Sequence, residues 1–342
     1  MRKNGFLHFV SIAVIFVLAQ CSGKTVEVFL GKGDSGARFA ADCVFSWTES
    51  AANPLFGGSS NSVDRAYYPF VLKIGSTYHI WYGDGDGTRH AASQYHDFRD
   101  IAHPAPEITV GGVTPISGLG YLYMYHPYVL HSSTGWTVNG SYYSDPFLMY
   151  ITPGFNSVRA YRSVDGVDWT EIGLCSGITG VYGPQGLDVY TFAVLFEGGT
   201  SWKAYADNGG GQIQYYTSAN GFDWTGQAAN IISAPWQSWE VSTNGVIAPF
   251  VIKNESTYIL YYSGGTTSND QAIGKAVSTD GYTFTKDVGN PVFSKNDGVA
   301  WRDARTYTAK IIRDVDRWRM YFTGRSSTGV YSVGTAVTCG NL

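Results

Sequence analysis

Residues 246–265 read VIAPFVIKNESTYILYYSGG: a proline-led apolar run, a polar break at Asn254, Glu255 and Ser256, then a second run rich in tyrosine. Aromatic and β-branched side chains on both sides of a short polar turn predict two buried strands joined as a hairpin. The first run returns as PFVLK from 69, PYVLH from 127, FAVLF from 192 and AKIIR from 309, so the five cores are separated by 58, 65, 57 and 60 residues. The second run returns as TYHIWYG from 77, PFLMYIT from 146, SWKAYAD from 201 and RWRMYFTG from 317. A third strand follows, clearest as AIGKAVST from 272 and SVGTAVT from 332. Five antiparallel units, at a period too long for a solenoid rung, predict an all-β fold, a five-bladed β-propeller.

Between units a second phrase recurs: SVDGVDWT at 163–170, SANGFDWT at 218–225 and STDGYTFT at 278–285. Asp-Gly and Asn-Gly supply the positive φ of a tight turn, and the aromatic after it covers the end of the sheet. The fifth unit stops at Leu342, soon after its third strand, and lacks an outer one. A segment near the other terminus, TVEVFLGK from Thr25 or CVFSW from Cys43, is expected to supply it and so close the ring by pairing N- and C-terminal strands. Cys43 and Cys339 then become neighbours and a candidate disulfide, an expectation tied to that topology.

The chain of 342 residues carries 42 Gly, 15% aromatic and 15% charged residues, and a net charge of −4, which favours strands and turns and argues against nucleic acid as a partner. Residues 1–21 have a basic start, a short apolar run and small residues near the end, the pattern of an export signal, leaving 22–342 as one propeller domain. LAQC followed by Ser resembles a lipobox, so a lipid anchor at Cys21 stands beside simple secretion. The expected location is accordingly secreted, periplasmic or cell-surface. No Cys/His cluster suggests zinc, and no metal or other cofactor is expected, with a structural or central-channel cation as the alternative. Asn139 and Asn254 lie in N-x-S sequons.

YYPFVLKIGSTYHIWYGDG from 67, STDGYTFTKDVGNPVF from 278 and VIAPFVIKNESTYILYYSGG resemble the five-bladed glycosidase superfamily of β-fructosidases, α-L-arabinanases and β-xylosidases, over roughly residues 45 to 338. The resemblance implies a glycoside hydrolase with a carbohydrate substrate, whose carboxyl groups converge at the mouth of a central funnel. Acids near the entrances of the inner strands are then the catalytic candidates: Asp64, Asp188, Glu240 and Asp303. Asp188 stands where the superfamily uses a Glu as general acid, and Asp64 is a displaced base or nucleophile. Tyr68 occupies the superfamily's usual Asp position, and blade two has His126 and no acid at its entrance. Tyr67, Tyr68, His126, Tyr190, Trp239, Trp301 and Arg305 are the candidate substrate contacts, since sugar rings stack on aromatics and their hydroxyls pair with polar groups. Plainer roles stand beside these: ion pairs joining blades for Asp64 and Asp303, a loop cap for Glu240, a core histidine for His126. Asp84 and Asp86 lack the spacing of a calcium loop and read as a hairpin edge. A glycan-binding or structural propeller without catalysis is the alternative.

Overall fold

The computed structural model describes residues 20–21, 24–25, 46–57, 65–84, 87–113, 126–152, 157–178, 189, 191–207, 211–228, 230–232, 236–240, 246–265, 270–295, 298–339 and 342. Two compact units are distinguished, Met1–Asp42 and Cys43–Leu342. In the first, Gln20–Cys21 pairs with Lys24–Thr25; most of residues 1–42, including nearly all of the expected export signal, lie outside the described residues. The second carries five antiparallel blades.

Blade 1 is Tyr67–Ile74, Thr77–Gly83 and Thr88–Ser93. Blade 2 runs Tyr128–His131, Phe147–Ile151, Arg159–Ser163 and Asp168–Leu174, with Thr109–Val110 added in parallel to the last. Blade 3 is Thr191–Phe196, Trp202–Asp207, Ile213–Ser218 and Trp224–Ala228. Blade 4 is Ile247–Asn254, Thr257–Gly265, Gln271–Ser278 and Thr285–Lys286. Blade 5 is Arg305–Asp314, Arg317–Arg325 and Tyr331–Thr338. Each predicted run falls on its expected strand.

The ring closes as the sequence requires. Thr48–Glu49 pairs antiparallel with Ala336–Val337, and Phe56–Gly57 with Ser332–Val333. The closing residues therefore lie just beyond CVFSW rather than within it. Between the two short strands the Asn53 side chain imitates a peptide: its Nδ2 donates to Thr335 O and its Oδ1 accepts from Thr335 N, both at 2.9 Å. Cys339 is disulfide-bonded; its expected partner Cys43 lies outside the described residues.

The recurring turn phrase has a second use beyond reversing the chain. In each copy the Ser hydroxyl accepts from the Gly N–H, at 2.9 Å for Ser163–Gly166, 3.0 Å for Ser218–Gly221 and 2.9 Å for Ser278–Gly281. The Asp or Asn side chain caps the next amides, as Asp165 does for Val167 and Asp168. The buried Gly carbonyl then accepts a bond from the preceding blade. Trp81 Nε1 donates to Gly166 O at 2.8 Å, Tyr150 OH to Gly221 O at 2.6 Å and Tyr205 OH to Gly281 O at 2.8 Å. Glycine is needed there twice over: φ is +79°, +68° and +74°, and a Cβ would meet an aromatic ring at about 3 Å, Trp81 of the preceding blade at Gly166 and Trp202 and Tyr258 of the same blade at Gly221 and Gly281.

A fourth copy is disguised. Ser93 stands at the Ser position of blade 1, its Oγ accepts from Tyr95 N, and Tyr321 OH of blade 5 donates to His96 O at 2.7 Å. Each of these donors comes from the second strand of its blade, so among the described residues one aromatic from each of blades 1, 2, 3 and 5 hooks the next blade's turn. Ion clusters seal two of the same seams: Asp314 with Lys73, Tyr78 and Arg319 between blades 5 and 1, and Glu197 with Lys203, Lys253 and Tyr258 between blades 3 and 4.

Candidate active site at the channel mouth

Where the inner strands enter the ring, the backbone is forced into an uncommon conformation. Tyr68, His126, Ala248 and Thr308 have φ of 54°, 58°, 54° and 56°. Each immediately precedes the first residue of a predicted core, three of which are prolines. In blades 1, 4 and 5 the ladder slips at this point, between Tyr67 and Phe70, Ile247 and Phe250, and Tyr307 and Lys310. Two residues there face one on the partner strand, a β-bulge, which is also where an in-sheet proline is tolerated. Left-handed backbone costs a bulky or β-branched residue on the order of 1–3 kcal/mol and has to be held by its surroundings.

The holding group comes from the previous blade. Thr323 Oγ1 accepts from Tyr68 N at 2.9 Å, Ser263 Oγ from Thr308 N at 2.9 Å, and Asp207 Oδ2 from Ala248 N at 2.8 Å. These three acceptors occupy one equivalent place, the end of the second strand. Polar residues at the last positions of YFTG, YYSG and AYAD are the available signal in the sequence, where they resemble ordinary strand ends.

The strained residues surround one pocket to which every blade contributes: Tyr68, His126, Pro127, Tyr128, Thr191, Phe192, Ala193, Ala248, Pro249, Thr308 and Lys310. The Tyr68 and His126 rings lie against each other, centroids 3.7 Å apart. Burial, reinforced by the positive charge of Lys310, holds the His126 imidazole well below its usual range and therefore neutral. Burial pushes the Tyr68 phenol upward, with Tyr331 adding to the shift. Lys310 sits below them with its ammonium 5.0 to 5.8 Å from the Phe250, Tyr128 and Phe70 ring centres. Burial lowers its pKa from 10.5 to about 7, against the opposing pull of Asp207. Asp207 is itself buried and also accepts from Thr191 Oγ1 at 2.5 Å.

The expected site residues divide into three groups. Tyr68 and His126 line the pocket, and Tyr67 and Arg305 lie next to it. Tyr67 packs on Tyr68 at 4.8 Å, and Arg305 lies over Tyr307, whose ring is 5.7 Å from Tyr68. Asp64, Asp188 and Tyr190 lie outside the described residues, as do Tyr125 and Asp86. Glu240, Trp239, Trp301 and Asp303 are placed elsewhere. Buried Glu240 pairs with Lys286 at 2.6 Å and accepts from Tyr262 OH at 2.6 Å and Gln237 N at 2.8 Å. Trp239 stacks on Tyr262 and Trp301 on Phe322, each over a pair of strand glycines. Asp303 accepts from both the amide and the hydroxyl of Ser327. Of the arginines flanking Asp303 in sequence, Arg302 turns to Glu49 and Arg305 to Gln271. Asp84 accepts from Gly87 N and pairs with Arg89, as a hairpin edge does. Among the described residues no group of three or more His, Cys, Asp or Glu is placed to hold a metal ion.

No family model and no curated protein matches the sequence. Solved structures do match by shape. BT0996 in complex with RGII is similar with a TM-score of 0.61 at 12% identity, over 84% of this chain and 93% of that one. A thermostable family-43 glycoside hydrolase gives 0.60 at 17%, over 82% and 91%. The catalytic domain of a Coprinopsis cinerea GH62 α-L-arabinofuranosidase gives 0.58 at 14%, over 86% and 97%. This chain has their five-bladed propeller fold. At such identities the likeness extends to architecture, and chemistry has to be argued from the mouth itself.

Proposed function

We propose that the protein is a glycoside hydrolase acting on a polysaccharide or oligosaccharide at the channel mouth, exported by its leader and either released or held by lipid at Cys21. The observation that carries this reading is the convergence of strained residues from four blades on one pocket, in the fold used by the hydrolases it resembles in shape. Backbone strain of this kind is retained where a site requires it.

Hydrolysis of a glycosidic bond needs one carboxyl group as proton donor and another as base or nucleophile. Asp188 and Asp64 are the acids assigned to these roles. They precede Thr191 and Tyr68 by three and four residues, so each runs directly into a pocket-lining strand. Neutral His126 and Tyr68 would present a weakly polar wall to the sugar, and a wall of that kind raises the pKa of a nearby carboxylic acid and keeps it protonated for donation.

A second reading, a glycan-binding propeller without turnover, draws on the same two residues. Tyr68 and His126 stand where the resembled superfamily carries acids. Release of reducing sugar from fructans, arabinans, xylans and galactans by the mature protein, beside Asp188→Asn and Asp64→Asn, separates the readings. Turnover that falls at least about a hundredfold in a folded variant supports hydrolysis. Binding without turnover in the unmutated protein refutes hydrolysis and selects the second reading.

A further inference from the structure

Beside the pocket, three arginines gather on one face. Arg305 and Arg325 are direct partners across the first two strands of blade 5, and Arg325 is the direct partner of Tyr331 on the third. Directly opposed residues project to the same side of a sheet, so both guanidinium groups and the phenol share a face. Arg65 joins them from the entrance of blade 1, where Ala66 N donates to Tyr331 O. The Arg325 and Arg65 guanidinium carbons lie 5.4 and 5.9 Å from the Tyr331 ring centre. All three arginines and Tyr331 are partly exposed and so within reach of a ligand.

The cluster is continuous with the pocket. Tyr331 packs on Tyr67 at 5.4 Å, Tyr67 on Tyr68 at 4.8 Å, and Tyr68 on His126 at 3.7 Å. A row of packed rings therefore connects the arginines with the pocket, the middle one, Tyr67, being buried.

We infer that the arginine end of this row binds the carboxylate of a uronic acid residue, so that the glycan taken at the mouth is an acidic one; the inference rests on the proposal that the mouth takes a glycan. A planar guanidinium matches a carboxylate with two parallel hydrogen bonds, remains charged across the working pH range and stacks on tyrosine, whereas a neutral sugar needs no such group. Arg65, Arg305 and Arg325 hold the carboxylate, and Tyr331 packs against the ring that bears it.

The test is calorimetric titration of the mature protein with tri-galacturonate and with the same trisaccharide after carboxyl reduction, at low and moderate salt, repeated with Arg325→Gln and Arg305→Gln. The expected result is at least about tenfold tighter binding of the acidic form, weakened by salt and lost in both variants. Because the reduced trisaccharide is compared on the unmutated protein, a variant that fails to fold leaves the test intact. Equal binding of the acidic and reduced forms overturns the uronate inference and leaves the glycan reading standing. Absence of binding or turnover with these and with the neutral panel overturns both.

Discussion

Blades 4 and 5 build the same clamp with opposite charges. In blade 4, Trp239 lies on Tyr262 at 5.9 Å and 24°, and Glu240 reaches Lys286 on the outer strand. In blade 5, Trp301 lies on Phe322 at 5.7 Å and 23°, and Arg302 reaches Glu49 on the outer strand. Each tryptophan covers two glycines, Gly264 and Gly274 in one blade, Gly324 and Gly334 in the other, and any side chain there would collide with the indole. The two loops thus share a tryptophan followed by a buried ion, and only the sign of the ion differs. A group whose sign can be inverted between repeats serves through pairing rather than through proton transfer. This pairing matches the loop-cap reading of Glu240, the plainer of its two expected roles.

The strongest way to break the comparison is to remove one charge. Glu240→Ala removes the buried carboxylate shared by Lys286 and the Tyr262 hydroxyl and should cost about 3–5 kcal/mol in equilibrium urea unfolding. Glu240→Arg combined with Lys286→Glu copies the blade 5 arrangement and should recover a substantial part of that loss, a coupling of about 1–3 kcal/mol. If Glu240→Ala instead unfolds within about 1 kcal/mol of the parent while abolishing glycan turnover, Glu240 is an active-site acid and the equivalence of the two loops fails.

The fold was legible because hydrophobic pattern and turn chemistry repeat with the blade. The five cores, their partner strands and the glycine phrase each appear as short local signals. The closing strand was harder: Thr48–Glu49 and Phe56–Gly57 are two-residue pieces bridged by a side chain, Asn53, and no periodicity marks them. The site was legible only in part. Tyr68 and His126 are marked in the sequence by the prolines that follow them, whereas Lys310, which lines the same pocket, and Asp207, which holds Ala248, carry no such mark, because their placement depends on converging strands rather than on any neighbour in sequence. Trp239, Trp301 and Glu240 do not line this pocket, and entrance loops carry aromatics and charges for packing as well as for substrate.

The mouth and the clamps also differ in how they handle charge, and pH sharpens that difference. A clamp ion is paired, whereas Lys310 is caged by three aromatic rings and its pKa falls to about 7. Between about pH 7 and pH 9 the unfolded chain keeps its lysine proton while the folded protein releases it. Stability contributed by this group therefore rises with pH across that window, and below pH 7 the protonated form weighs on the folded state in full. Lys310→Met should flatten the rise by a few kcal/mol, with the largest gain in stability near pH 6. Above pH 10 the buried tyrosines reverse the slope, so the comparison belongs below pH 9. An unchanged pH profile in Lys310→Met would mean that the ammonium is solvated at the mouth rather than caged.

The smallest effects test whether the aromatic hook is one device repeated around the ring. Tyr150→Phe removes only the hydroxyl that reaches Gly221 O, in a buried seam between blades 2 and 3. The orphaned carbonyl has no access to water, so the loss should be about 1–2 kcal/mol. Tyr321→Phe removes the corresponding bond to His96 O, in a seam that is only partly buried and whose turn has His in place of Gly. Water can replace the hydroxyl there, and the loss should be nearer about 0.5 kcal/mol. Equal losses would show that both carbonyls are equally shielded and that the disguised turn of blade 1 seals its seam as well as the glycine turns do. A larger loss for Tyr321→Phe would place the weight of ring closure on the seam between blades 5 and 1. That outcome has a physical basis, since separating this seam opens the propeller where the chain's two ends meet.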